Sequence, residues 1–118
     1  MMASTEIGPI RVEADASEVR FRFVNPHIMT LEIPVSLEEE LSTYLQLNQA
    51  SVTGKRLVID LVDLAAVSSR QLGMMLTIRK ICQPFGPVEL EAVSDGVRYL
   101  LNLTRMAKYF NLPEPGDR

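Results

Sequence analysis

The stretch RLVIDLVDL, residues 56–64, restricts the folds open to this chain more than any other feature. It is a short, almost continuous apolar run, which is typical of a strand that other elements cover. A helix-type spacing of apolar residues follows from about Ser69 to Gln83, and the sequence PFGP ends it. A covered strand that leads into a helix favours an α/β arrangement.

The other segments alternate between strand and helix patterns. IRVEADASEVRFRFVN predicts an N-terminal hairpin, because Val19, Phe21 and Phe23 alternate with arginines after the turn ADAS. PVSLEEELSTYLQLNQ predicts the first helix, in which Ser36 and Glu39 have the spacing of a capping box. PVELEAV alternates as a strand, SDGVRYLLNLT has the pattern of a third helix, and AKYFNL is predicted as a short strand or a helix end.

This order of elements predicts α/β layers, with helices on at least one face of the sheet. The chain has 118 residues and fits a single domain over 1–118, with its core between about 8 and 112. The first ten residues and the tail PEPGDR are expected to be loose, because they hold little apolar material to bury. Ile28 and Leu31 are expected in the core.

Composition narrows the classes of function. The formal net charge is −3 and no basic cluster is present, which argues against nucleic-acid binding. No apolar run reaches the roughly 18 residues of a membrane span, and the first residues lack the pattern of a secretory signal. The single cysteine, Cys82, cannot form an internal disulfide and is expected to be a buried hydrophobe. We therefore expect a cytoplasmic protein without membrane insertion.

Residues suited to catalysis or metal binding are scarce. His27 is the only histidine, so a Ser-His-Asp triad gains no support, and no metal-binding spacing or phosphate-binding loop occurs. Asp60 and Asp63 are expected to point to opposite faces, one ending a strand and the other facing water. The sequence therefore predicts no catalytic residue, no metal site and no cofactor, and the protein is not expected to be an enzyme.

Two serines at the junction between strand and helix carry the functional signal. One of Ser68 and Ser69 is expected to cap the helix by accepting a backbone N–H. Steps of four from Ser69 give Gly73 and Thr77, with Arg70 alongside, so one stripe of the helix is small or polar. Glycine inside a helix costs about 1 kcal/mol relative to alanine. It therefore indicates close approach by another backbone, from a neighbouring element or a partner protein, and these five residues form the predicted partner-binding surface.

A phosphate on Ser69 would change this surface without unfolding the helix. Helix N-termini offer free N–H groups and the positive end of the helix dipole, both of which accept anions. The phosphate would add about −1.5 to −2 charges to a surface that a bound partner must desolvate. We therefore predict that phosphorylation of Ser69, or alternatively of Ser68, releases the partner.

This junction resembles a motif of the STAS domains, and among them of the bacterial anti-sigma factor antagonists. In that family a strand ending in D and an apolar turn precede D-S-[ST]-G-L-G, and the equivalent here is LVIDLVDLAAVSSRQLGMML. Aligned on Leu72 and Gly73, Ser69 stands where the family has its phosphorylated serine. VRYLLNLTRMAKYFNL similarly resembles the family ending V-x-x-L-L-x-L-T-x-[LM]-x-K-x-F. The resemblance covers residues from about 8 to 112.

The resemblance implies a STAS-type single domain, with a mixed β-sheet and helices packed mainly on one face. It also implies a partner-switching regulator of transcription. The unphosphorylated protein would bind an anti-sigma factor, itself a serine kinase of the histidine-kinase-like ATPase type, and so free the sigma factor. The kinase would inactivate the protein by phosphorylation, and a PP2C-type phosphatase would restore it. Association of two copies into a weak homodimer is a further alternative.

Three positions depart from the family pattern. Ser68 replaces an aspartate thought to support the phosphorylation site, Arg70 follows the serine, and Gln71 replaces a glycine. These departures support a second hypothesis, a STAS adaptor or scaffold without a phosphoswitch, for example a cytoplasmic subunit of a lipid-transport complex. A third hypothesis is an enzyme with an unrecognised site.

Overall fold

One five-stranded sheet organises the fold in the computed structural model, which describes residues 3–24, 36–62, 64 and 67–110. Its strands in chain order are β1 (Ala3–Ile7), β2 (Ile10–Ala14), β3 (Glu18–Phe23), β4 (Arg56–Asp60) and β5 (Val88–Glu91). They lie side by side in that order, and β1 to β3 pair antiparallel whereas β3 to β5 pair parallel. The predicted α/β class is confirmed, and the sheet is mixed, as the resemblance implied.

Helices connect the strands and follow the last one in the described part of the chain. They are α1 (Leu37–Leu47), α2 (Gln49–Val52), α3 (Ser69–Cys82), α4 (Asp95–Leu103) and a 3₁₀ helix (Ala107–Phe110). The range of α3 agrees with the predicted helix to within one residue. The segment AKYFNL, predicted as a short strand or a helix end, provides the 3₁₀ helix.

The N-terminal hairpin is confirmed, but the expectation of a loose start is wrong. β2 and β3 are joined by a turn in which Asp15 Oδ1 accepts the backbone N–H groups of Ser17 and Glu18, at 2.7 and 2.9 Å. Residues 3–7 add the edge strand β1, which pairs with β2 along its whole length. Within 4–7 only Ile7 is buried, so backbone pairing rather than apolar burial forms this strand.

The predicted capping box at the start of α1 is also wrong. Ser36 has helical backbone angles, φ −83° and ψ 0°, and its side chain makes no capping hydrogen bond. Its hydroxyl instead donates to Glu40 Oε2 at 3.3 Å. A capping residue normally has an extended backbone, which turns its side chain back toward the free N–H groups, and Ser36 lacks that geometry.

The core lies on one face of the sheet. The alternation predicted for β3 is confirmed, because Val19, Phe21 and Phe23 are buried. Buried residues of every α-helix join the same hydrophobic cluster, Leu41 of α1 and Met75 of α3 among them. The helices therefore cover the face that these strand residues share.

The opposite face of the sheet carries charges. We call it the ionic face, and its charged residues are Glu6, Arg11, Glu13, Glu18, Arg20, Arg22, Arg56, Asp60, Glu89 and Glu91. Nine ion pairs link them within the described residues. Val58 shares this face between Arg20 and Glu89, and it is fully buried although it lies outside the hydrophobic cluster.

Cys82 ends α3 inside the core, as expected from the sequence. It is a buried free thiol, and burial raises its pKa to about 12. None of the helices in the described part of the chain combines the length and the apolar character needed to cross a bilayer. The expectations for His27, Ile28, Leu31, Asp63 and the tail PEPGDR fall outside the described residues.

Candidate functional site

The candidate site lies where β4 passes into α3. β3, β4 and β5 are parallel, so their carboxyl ends meet at one edge of the sheet, and both α3 and α4 begin from that edge. Connections between strands and helices, held in place by a rigid scaffold, often carry binding residues. The two candidate serines stand at the first residue of α3 and the residue before it.

Ser68 is the residue that caps α3, which settles the choice between the two serines. Its backbone is extended, with φ −81° and ψ 167°, and its Oγ accepts the backbone N–H of Gln71 at 3.1 Å. The Gln71 side chain completes a capping box, because its Oε1 accepts the backbone N–H of Ser68 at 2.8 Å. Only 5% of Gln71 is exposed, so the first turn of α3 is firmly closed.

Ser69 differs from Ser68 in being exposed. It occupies the first position of α3, whereas Ser68 is half-buried and its hydroxyl oxygen already accepts a hydrogen bond. A phosphate on Ser68 would have to break the capping box. A phosphate on Ser69 would extend into solvent and leave the box intact, so Ser69 is the serine whose exposed side chain lies outside the capping box.

The predicted stripe is present on the outer side of α3. Ser69 and Arg70 are exposed, and Gly73 and Thr77 are half-buried, with the Thr77 hydroxyl donating to the Gly73 carbonyl at 3.0 Å. A Cβ placed on Gly73 would meet nothing within 4 Å among the described residues. No neighbouring element therefore comes close to Gly73 within that part of the chain, and close approach by a partner protein stays a prediction.

Asp60 anchors the other end of the loop that leads to α3. Its Oδ1 accepts the backbone N–H of Val62 at 2.9 Å, which fixes the first turn after β4. Its Oδ2 accepts from Arg20 Nη1 at 2.8 Å and from Arg22 Nη2 at 2.9 Å. With 4% of the side chain exposed, this carboxylate is held between the ionic face and the loop.

The electrostatics of this anchor favour its charged form. Burial alone would raise the pKa of Asp60, but the Val62 N–H and the guanidinium groups of Arg20 and Arg22 outweigh it and hold the pKa below its usual value. Loss of water would lower the pKa of Arg20, but Glu91, Glu18 and Asp60 raise it instead. Both groups therefore stay ionised at neutral pH.

Sequence reasoning placed Asp60 correctly at the end of β4 but missed its partners. The available signal was the pair Arg20 and Arg22, which alternate with buried residues on β3 and so share one face. Gln71 was noted only as a departure from the family pattern, although Ser68 and Gln71 have the spacing of a capping box.

No cluster of three or more His, Cys, Asp or Glu side chains is placed to hold a metal ion within 3–24, 36–62, 64 and 67–110.

A scan of the sequence against models of protein families finds no match, and a search of curated proteins finds no relative. The similarity to the STAS domains therefore stays a prediction from the motifs, beside a fold whose α/β class and mixed sheet agree with it.

Proposed function

We propose that this protein is a partner-switching regulator of the anti-sigma factor antagonist kind. Unphosphorylated, it binds a serine-kinase anti-sigma factor of the histidine-kinase-like ATPase type through the outer side of α3. Phosphorylation of Ser69 releases it, and a PP2C-type phosphatase reverses the modification. The observation that carries the proposal is an exposed Ser69 at the first position of a helix whose cap is supplied by the preceding residue.

The stripe supports a binding role for the unmodified surface. Ser69 and Arg70 are exposed, and the uncovered Gly73 lets the backbone of another protein come close to the helix. Small side chains at such a contact cost little entropy and little desolvation when they are buried.

A phosphate at Ser69 would act on the partner and not on the fold. The capping box keeps the first turn of α3 closed by Ser68 and Gln71, and neither hydrogen bond uses the Ser69 side chain. The helix N-terminus tolerates the anion, whereas a partner covering the stripe would have to bury about −1.5 to −2 charges. Release without unfolding is the expected result.

A second candidate is a STAS adaptor or scaffold without a phosphoswitch. The capping box favours it, because Ser68 and Gln71 occupy positions where the family motif has aspartate and glycine and use their side chains to fix the start of α3. In this version the same stripe binds a constant partner, for example in a lipid-transport complex.

The first experiment measures the mass of one tryptic peptide from the native protein by mass spectrometry. Trypsin cleaves after Arg56 and Arg70 and releases LVIDLVDLAAVSSR, whose only hydroxyl side chains are Ser68 and Ser69. The switch predicts a phosphorylated fraction on Ser69 that changes with growth conditions. A peptide unmodified under every condition favours the adaptor.

The second experiment measures binding to the cognate serine-kinase anti-sigma factor. Ser69→Ala should bind like the unmodified protein, whereas Ser69→Asp should bind at least about tenfold more weakly. Ser51→Asp, which adds the same charge at an exposed position of α2, is the matched control and should bind normally. Equal binding by Ser69→Ala and Ser69→Asp would rule out the switch.

A further inference from the structure

Ion pairing divides the surface charges of this protein into two groups. Nine of the ten ion pairs among the described residues lie on the ionic face. Arg98, Arg105 and Lys108, by contrast, form no ion pair within that part of the chain, and neither do Glu39 and Glu40 of α1. Among the described residues, charges of opposite sign therefore lack ion pairs in two places.

The cations belong to a segment with exposed apolar side chains. From Gly96 to Phe110 the sequence contains Arg98, Arg105 and Lys108 and no acidic residue, so this segment carries +3 in a chain of net charge −3. On the same segment Tyr99 is 69% exposed and Leu103 is 66% exposed. They are four residues apart on α4 and so lie on one side of the helix.

We call this surface the basic patch, and its residues are Arg98, Tyr99, Leu103, Arg105 and Lys108. Tyrosine and arginine are the residue types that protein interfaces concentrate in their centres. Nearby, the Tyr109 ring lies 4.8 Å from the Arg79 guanidinium carbon and 5.5 Å from Lys108 Nζ, which adds a further cation to this region.

The anions border an open groove between α1 and α3. The groove has a volume of about 690 Å³, and its lining includes Glu38, Glu39, Gln46, Lys80, Ile81 and Pro84. Lys80 Nζ donates to Glu38 Oε1 at 2.9 Å and compensates that carboxylate, whereas the second carboxylate of the lining, Glu39, is exposed in the first turn of α1 and forms no ion pair among the described residues. We call this the acidic groove.

The two surfaces are opposite in charge. One is a helix face on which Tyr99 and Leu103 are exposed among cations, and the other is an open groove lined by Ile81 and Pro84 together with the carboxylates of Glu38 and Glu39. We propose that the basic patch of one copy binds the acidic groove of a second copy, head to tail. The groove reaches α3 at Lys80, eleven residues beyond Ser69, which places it about 16 Å along the helix from the switch serine.

A contact between two different surfaces has a defined consequence for assembly. A chain of copies keeps one free patch at one end and one free groove at the other, so growth continues past a dimer unless the contacts close a ring. This goes beyond partner switching, because it predicts oligomers of the protein alone. It also differs from a weak two-fold homodimer, which would stop at two copies.

The test is sedimentation velocity of the full chain over a range of concentrations, at about 0.05 M and about 0.5 M salt. The mean mass should rise beyond that of a dimer at low salt and fall at high salt. Arg98→Glu/Arg105→Glu and, separately, Glu38→Lys/Glu39→Lys should each weaken association at least about tenfold. Tyr99→Ser, which leaves the charges unchanged, should weaken it as well.

Mixing supplies the control for folding. The two charge-reversed proteins, each monomeric alone, should associate when mixed, because each presents a surface complementary to one on the other. Misfolded variants would not regain association in this way. The proposal would be overturned if the wild-type chain stayed monomeric at low salt. It would also be overturned if both charge-reversed variants formed the same oligomers as the wild type. Binding of the monomeric wild type to anionic lipid vesicles, lost in Arg98→Glu/Arg105→Glu, would also overturn it and assign the patch to a membrane.

Discussion

The two faces of the sheet are built from alternate residues of the same strands and exclude water by different means. On one face Phe21 and Ile59 are fully buried within the hydrophobic cluster. On the other, Val58 is equally buried, but it shares its face with Arg20, Asp60 and their ion pairs. Apolar packing accepts many arrangements, whereas the ion pairs of Asp60 demand particular neighbours.

The ionic face therefore fixes the register between β3 and β4, whereas the core face contributes most of the stability. Asp60 Oδ2 contacts both Arg20 and Arg22, which are successive residues on one face of the neighbouring strand. A slip of β4 by one residue would turn Asp60 toward the core and separate it from both arginines. Pairing errors between β3 and β4 are thus penalised by a group that adds little hydrophobic burial.

The largest contrast between the faces should come from Phe21→Ala. Phe21 is fully buried, so its truncation leaves a cavity and should lower the free energy of unfolding by about 3–5 kcal/mol. Urea unfolding followed by circular dichroism measures the change. A loss below about 1 kcal/mol would mean that the helices do not pack on this face as described.

The next largest effect is expected for Asp60→Asn. The amide retains the shape but loses charge-assisted hydrogen bonds to Arg20 and Arg22, which should cost about 2–3 kcal/mol. Glu89→Gln, on the same face but with its side chain about half exposed, is the control and should change stability little. Equal losses in the two variants would contradict a special role for the buried carboxylate.

Lowering the pH should remove the stabilisation that ionised Asp60 contributes. Because the pKa of Asp60 is lower in the folded protein than in the unfolded chain, its stabilisation is complete above the unfolded value of about 4 and disappears as pH falls through the folded value. Unfolding free energies measured from pH 7 downward should show a decrease in that range. Asp60→Asn should flatten the decrease, and an unchanged pH profile would refute the assignment.

A smaller effect is expected for Val58→Ala, which tests whether the ionic face shields apolar surface. Removing two methyl groups from a fully buried site should cost about 1–2 kcal/mol. Ile59→Ala, its neighbour on the core face, should cost more, about 2–5 kcal/mol. If Val58→Ala were neutral, the charged side chains above it would be too mobile to exclude water.

The smallest effect should follow Arg11→Ala. Arg11 pairs with Glu6 at 2.9 Å, but both side chains are about half exposed, so water and salt screen the pair. The expected loss is below about 1 kcal/mol and should vanish in high salt. A larger loss that survives salt would show that the edge of the ionic face is as tightly coupled as its centre.

The sequence carried the positions of the covered strand, the hairpin and α3, because their apolar spacing is strong and local. It did not reveal β1, since the residues ASTEI show no alternation and the strand depends on backbone pairing with β2. The cluster at Asp60 was hidden for a related reason. Alternation shows which residues share a face, but only the register between strands shows which ones touch.

The two helix starts show the limit of motifs at the candidate site. Ser36 with Glu39 and Ser68 with Gln71 have the same spacing, yet only the second pair forms a capping box. The difference is the backbone of the serine, which is helical at Ser36 and extended at Ser68. The four motif residues have the same spacing in both places, so they do not encode this difference in backbone conformation.

The single thiol in the core makes local opening of this protein measurable. Cys82 ends the helix that Ser69 begins, and with a pKa of about 12 almost none of it is thiolate at neutral pH while the core is closed. Its rate of alkylation therefore counts openings of the C-terminal end of α3. Modification or binding at the Ser69 end of the helix should therefore slow the alkylation of Cys82 if it tightens the core and speed it if it loosens the core. No label has to be added to the chain for this measurement.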